Sequence, residues 1–218
     1  MMKKIAFFLS ATMLFIPAVA RAQATSTPSN VAQQTTEGIQ KRSNEYGIWG
    51  SVSFDATTWI GYTPDARFGN VGLRYGRVLA ASKTVAFEWT IDAIPVAVLS
   101  NSRLTSVPCC GFVLQRKRAY GWGISPIGLK FNFRRNKRVQ PFGASSGGFL
   151  YFNEKVPVSG AARFNFTFDF QGGVQIIKSN QRSFMIGYKY NHISNGYHAP
   201  INPGVDVQIV FFGFSIFR

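Results

Sequence analysis

The 218-residue sequence predicts an all-β fold, an eight-stranded antiparallel transmembrane β-barrel of the outer-membrane type. Three observations predict it: an export signal, segments in which apolar and polar residues alternate with period two, and a shortage of charge beside an abundance of aromatics. Charged residues make up 15% of the chain and aromatic residues another 15%, with 21 Phe. A soluble domain carries about a quarter charged residues. After the first two dozen residues there is no run of about 20 apolar residues, which argues against a helical membrane protein.

The export signal comes first. Lys3 and Lys4 supply a positive start, Ile5 to Ala20 is apolar, and Ala20-Arg21-Ala22 has the small-x-small form of a cleavage site. Pro17 and the short apolar run argue against a permanent anchor. Residues 1–22 are therefore read as a signal peptide and Gln23 as the first mature residue. Residues 23–44, rich in Gln, Thr, Ser and Asn, read as a flexible leader. The barrel is expected over 45–218.

Without Lys3, Lys4 and Arg21, 21 basic residues face 9 acidic ones, a charge of +12. That balance favours anionic partners. Export argues against nucleic acid and for the phosphorylated lipids of a membrane surface. Cys109 and Cys110 are adjacent, too close for an unstrained disulfide. They read as loop residues without a redox role.

The alternation is clearest at 164–171, where Phe164, Phe166, Phe168 and Phe170 share one strand face. Asn165, Thr167, Asp169 and Gln171 share the other. A soluble sandwich also alternates, but a wholly aromatic face opposite a polar one is the lipid-out, polar-in pattern of a membrane barrel. At 85–92, Val85, Phe87, Trp89 and Ile91 alternate with Ala86, Glu88, Thr90 and Asp92. Two carboxylates on an inner face require basic partners from other strands.

Eight strands follow, at 45–54, 67–80, 84–98, 119–133, 139–152, 164–178, 183–194 and 205–217. An even number closes an up-and-down meander without exposed edges. Short connections (81–83, 134–138, 179–182) alternate with longer ones (55–66, 99–118, 153–163, 195–204), as periplasmic turns alternate with outer loops. The chain ends with alternating apolar residues from Val210 to Ile216, similar to the terminal signal of outer-membrane barrels. Arg218 departs from the terminal aromatic usual there.

The chemistry concentrates in residues 192–206. His192 and Ser194 lie two apart on the seventh strand and so project from one face. A histidine beside a serine hydroxyl takes its proton and makes it a nucleophile. Asp206 opens the eighth strand, across a ten-residue connection, where it reaches His192 and orients the imidazole. By parity with Phe184, Ile186 and Tyr188, the His and Ser face lipid, an expensive place for polar groups that calls for a function. Hydrogen-bonding residues at strand ends produce similar spacings without catalysis.

The pattern His192-x-Ser194-Asn195, followed by Asn202-Pro203-Gly204-x-Asp206, resembles the PagL lipid A 3-O-deacylases. The motif spans about 15 residues, and the barrel pattern extends the likeness over most of the mature chain. The resemblance implies an eight-stranded barrel with an outward-facing serine esterase site. It implies Ser194 as nucleophile, His192 as base and Asp206 as acid. It also implies Asn202 at the oxyanion, Asn195 in support, and a backbone N–H from residues 196–197, Gly196 among them. The substrate it implies is an acyl ester of lipid A, part of lipopolysaccharide, in the outer membrane. It implies no metal or organic cofactor. A better-known enzyme of that family has Glu where this chain has Asp206, and Ala-Gly where this chain has Gly196-Tyr197.

Two other readings share the barrel pattern: a non-enzymatic small barrel, adhesive or structural, and an acyltransferase barrel that moves a chain between lipids. The first leaves the His, Ser and Asp cluster unexplained; the second uses the same nucleophile. Elsewhere, His198 reads as a solvated loop histidine. Arg103, Arg116, Lys117 and Arg118 read as part of a generally basic surface, and Arg134 to Arg138 as a periplasmic turn. Gly143, Gly147 and Gly148 read as packing positions. Oligomeric state is not encoded in any recognisable segment.

Overall fold

A computed structural model describes residues 39–109, 111–178 and 181–218. The expected signal at 1–22, and the leader up to residue 38, lie outside the described residues. Eight antiparallel strands close on themselves in sequence order: β1 (Asn44–Thr57), β2 (Arg67–Ala81), β3 (Val85–Val107), β4 (Gly111–Phe133), β5 (Val139–Val156), β6 (Ala162–Ile177), β7 (Arg182–Ser194) and β8 (Val205–Phe217). Closure is made by β1 and β8, paired from Glu45 with Phe217 to Thr57 with Asp206. Every strand is thus paired on both sides, and no edge remains open.

The alternation folds as read. Phe164, Phe166 and Phe170 are exposed on the outer wall, while Asn165, Thr167, Asp169 and Gln171 are buried inside. Inside, charge is paired with charge. Arg74 grips Asp92 through two hydrogen bonds of 2.8 and 2.7 Å. Lys130, fully buried, lies 2.9 Å from Glu45 and 3.2 Å from Glu88. Such charges are tolerable in a closed interior only when paired and hydrogen-bonded. Next to them a cavity of ≈ 10 Å³ remains, room for about one water.

Four expectations are corrected. The interior is not polar throughout: Val205, Val207 and Ile209 of β8 point inward with Trp49, Phe68, Leu99, Leu150, Phe152 and Ile193, forming an apolar plug beneath the loops. This explains why neither face of β8 reads as polar in sequence. Residues 99–107 and 111–118 are not a loop but the far part of the β3–β4 hairpin, paired continuously from Leu99–Ala119 to Val107–Gly111. Ser, Thr, Asn, Gln, Arg and Lys make up half of 99–118, so its composition resembles a loop although the backbone stays laddered. β5 and β6 likewise extend to Val156 and back to Ala162, leaving only 157–161 as connection. The last part of the 23–44 leader belongs to the fold, because Ile39 packs with Val78, Ala86, Ile177 and Phe217 and Asn44 opens β1.

The connections at 58–66 and 195–204 join β1 to β2 and β7 to β8, so both lie at one end of the barrel. That shared end positions the site.

Candidate active site

β7 and β8 pair in register, with His192 opposite Asp206. Both side chains follow the outward parity of Ile186, Tyr188, Val210 and Phe212. His192 Nδ1 lies 2.6 Å from Asp206 Oδ1. The second carboxylate oxygen accepts the backbone N–H of Ile60 at 2.6 Å and of Gly61 at 2.9 Å. Both oxygens are therefore engaged, and charge-assisted bonds of this kind hold a buried carboxylate in one orientation.

The expected lipid exposure of His192 is corrected. His192 is 7% exposed and Asp206 0%, because the β1–β2 connection folds down over the outer wall. Tyr62 N–H donates to the Pro203 carbonyl at 2.7 Å, and the Thr63 hydroxyl donates to the Gly204 carbonyl at 2.6 Å. The Trp59 ring stacks on Tyr190 with 5.0 Å between centroids. The contact needs glycine on both sides. Gly204 has φ +67°, and a Cβ there would meet Gly61 Cα at 3.1 Å and His192 Cε1 at 3.2 Å. On its other side, His192 faces Phe168 of β6, with 5.1 Å between ring centroids. The imidazole is thus fixed between an aromatic wall and a glycine, with Nδ1 committed to Asp206.

Ser194 ends β7 opposite Phe166 and is partly exposed. Among the described residues its hydroxyl has no hydrogen-bond partner. The chain then turns sharply, with Gly196 at φ +59° and Tyr197 at φ +63°. Asn195, 1% exposed, organises this turn. Its side-chain amide donates to the Ile201 carbonyl at 2.8 Å, and its side-chain carbonyl accepts Tyr197 N–H at 2.9 Å. Its main-chain carbonyl accepts His198 N–H at 3.1 Å. Asn202 Oδ1 accepts the Asn195 N–H at 3.0 Å, which leaves the Asn202 NH₂ group free to donate elsewhere. Of the backbone amides at 195–198, only that of Gly196 is without a partner among the described residues.

Sequence reasoning missed the 58–63 segment. Its one local signal is an aromatic-rich loop, Trp59-Ile-Gly-Tyr62, more apolar than a solvated loop requires. Arg103 turns inward and pairs with Glu154 at 3.2 Å, whereas Arg116 pairs with Asp65 at 3.4 Å. His198 is exposed, beside Phe166. Among the described residues, no three His, Cys, Asp or Glu side chains converge to hold a metal ion.

A family model described as "Lipid A 3-O-deacylase (PagL)" matches residues 71–215. The chain belongs to that family. The matched segment contains His192, Ser194, Asn195, Gly196, Asn202 and Asp206, but not the 58–63 connection. Among solved structures, that of the outer membrane enzyme PagL is similar with TM-score 0.56 and 13% identity, over 77% of this chain and 97% of that one. Neisserial surface protein A is also similar, with TM-score 0.46 and 12% identity over 79% and 96%. No curated protein sequence matches this chain. At such low identity the likeness is one of fold; the family rests on the sequence match.

Proposed function

We propose that the chain is an outer-membrane serine esterase that hydrolyses an ester-linked acyl chain of lipid A, the 3-O chain by family. The observation that carries this reading is the Asp206–His192 pair, fixed by the Ile60 and Gly61 amides and set two residues from Ser194 on one strand face. Ser194 Oγ attacks the ester carbonyl carbon while His192 Nε2 takes its proton. The tetrahedral oxyanion accepts from the Asn202 side-chain amide and the Gly196 N–H, the donors left unengaged in the loop. Collapse breaks the bond to the sugar oxygen, which receives the proton held by His192. Water, deprotonated by His192 in turn, then attacks the acyl-serine and releases the fatty acid. Asp206 holds the imidazole tautomer and stabilises the imidazolium. The hydrogen bond from Ser194 to His192 forms as substrate seats, since such contacts often tighten only in the complex.

Export through a cleaved signal at 1–22 and a barrel domain that begins by Ile39 belong to the same reading. They place the 58–66 and 195–204 connections toward the outer leaflet, where lipid A resides. The test is mass spectrometry of lipid A from cells producing the wild type or Ser194→Ala. Loss of one hydroxyacyl chain with the wild type alone is expected. Unchanged lipid A in both, with the barrel folded, would exclude the deacylase; a gained chain on another lipid would favour acyl transfer.

A further inference from the structure

The outer wall across β8, β1, β2 and β3 is hollowed. Strand pairing arranges its outward residues in rows: Phe212, Gly50 and Val71 in one, then Val210, Val52, Gly69 and Val98 in the next. Gly50 and Gly69 lack side chains where neighbours such as Phe212 and Phe54 stand proud, with 57% and 64% of their surfaces exposed. The result is an apolar groove of ≈ 460 Å³, with Val96 completing its lining. A Cβ on Gly50 would meet nothing within 4 Å, so the depression is open space.

The next row toward the loops changes character. Arg67 pairs with Ser100, and Ser100 with Arg118. Arg116 stands beside Ser102 on the same hairpin and reaches the Ser100 carbonyl and hydroxyl, each at 3.4 Å. Arg67, Arg116 and Arg118 line a second hollow of ≈ 500 Å³, continuous with the groove through Val52, Gly69 and Val98. The acid in this cluster is Asp65, 3.4 Å from Arg116. Arg67 and Arg118 are exposed and have no ion pair among the described residues. Two residues along a strand advance about 7 Å, so the guanidinium groups begin one step above the apolar rows.

We propose that this wall holds one molecule of lipid A outside the catalytic site, with an acyl chain in the groove and a phosphate against Arg67, Arg118 and Arg116. An apolar trough directly beneath a cationic cluster is complementary to a lipid with a phosphorylated head. Three guanidinium groups suit a multiply charged phosphosugar better than a singly charged phospholipid, since guanidinium pairs with phosphate in a fork. The trough is separate from Ser194, which opens toward Phe166 of β6; Phe54 and Tyr188, 6.4 Å apart between ring centroids, stand between. The assignment rests on the loop end facing the outer leaflet.

The test counts lipids retained by the full mature Ser194→Ala chain, folded in zwitterionic detergent, by native mass spectrometry. The probes are bisphosphorylated lipid A, dephosphorylated lipid A and phosphatidylglycerol. Folding is checked by resistance to SDS without heating. Arg67→Gln/Arg118→Gln and, independently, Gly50→Leu should each weaken retention of one lipid A by about tenfold or more. Gly50→Leu fills the trough without altering charge. Retention unchanged in both folded variants would overturn the proposal. So would equal retention of dephosphorylated lipid A or of phosphatidylglycerol. Because turnover is not read, an inactive wild type would refute the esterase and leave this result standing.

Discussion

Gly61 and Gly204 meet backbone to backbone: a Cβ on Gly61 would stand 2.7 Å from the Gly204 carbonyl carbon. This approach brings the Ile60 and Gly61 amides onto Asp206. Gly61→Ala should push the 58–63 segment away from β8 and release the carboxylate. Misplacement of about 1 Å costs on the order of 100-fold in rate. The expected result is a kcat reduced by about that factor, with barrel melting little changed. Full activity would show that the loop contact does not serve the reaction.

Asp206→Asn keeps the shape of the side chain but removes the charge facing His192. An equivalent loss in a serine triad lowers kcat by about 10⁴, and a fall of that order is expected in a lipid A deacylation assay. Retained activity would remove Asp206 from the mechanism.

Asn202 permits a separation of roles. Its Oδ1 holds the Asn195 amide, and its NH₂ is the proposed oxyanion donor. Asn202→Asp keeps the acceptor and loses the donor. It should cost about 10²–10³ in kcat while KM and the melting temperature hold. A loss confined to stability would make Asn202 a loop brace alone.

Asp65, in the β1–β2 connection, offers a pH readout. Burial raises its carboxyl pKa, but hydrogen bonding from Ser102 and the Arg116 charge outweigh burial and hold the group below the usual Asp range. A carboxyl depressed in the folded state contributes stability that is complete above the unfolded pKa. That stability is lost as pH falls through the folded value. The Ser102 amide, 2.6 Å from Asp65, should report the titration by NMR with a midpoint below about 3.9. Arg116→Gln should raise that midpoint; a wild-type midpoint above 3.9 would contradict the contact.

Lys130→Met leaves Glu45 and Glu88 together inside the barrel without their cation. Breaking a buried ion pair in this way costs about 3–5 kcal/mol. Urea unfolding in detergent should show a loss of that size, and Glu88→Gln in the same chain should recover part of it.

The barrel was legible because its outer and inner faces differ in chemistry over many residues. The 164–171 and 85–92 segments show the pattern most cleanly, and Glu88 and Asp92 required inner basic partners that Lys130 and Arg74 supply. Strand ends were less legible. At 100–118 Arg116 and Arg118 share the outer face of the hairpin with exposed Leu104, Phe112 and Leu114, so the alternation of apolar and polar faces breaks down while pairing continues. Local spacing placed His192, Ser194 and Asp206 at one end of neighbouring strands. The two amides from Ile60 and Gly61 were invisible, because they come from about 145 residues earlier in the chain and backbone donors leave no mark in side-chain identity. The burial of His192 is invisible in the sequence as well: parity reports direction but not what another loop lays on top.

The paired charges across the middle of the barrel have a consequence for transport. Arg74 with Asp92 and Lys130 with Glu45 and Glu88 stop the lumen from side to side, and the apolar plug beneath the loops seals it again. A planar bilayer containing the folded chain should carry no ionic current attributable to it. Unlike a porin, this barrel has a filled centre, a rigid axle behind the rim on which the proposed site is mounted.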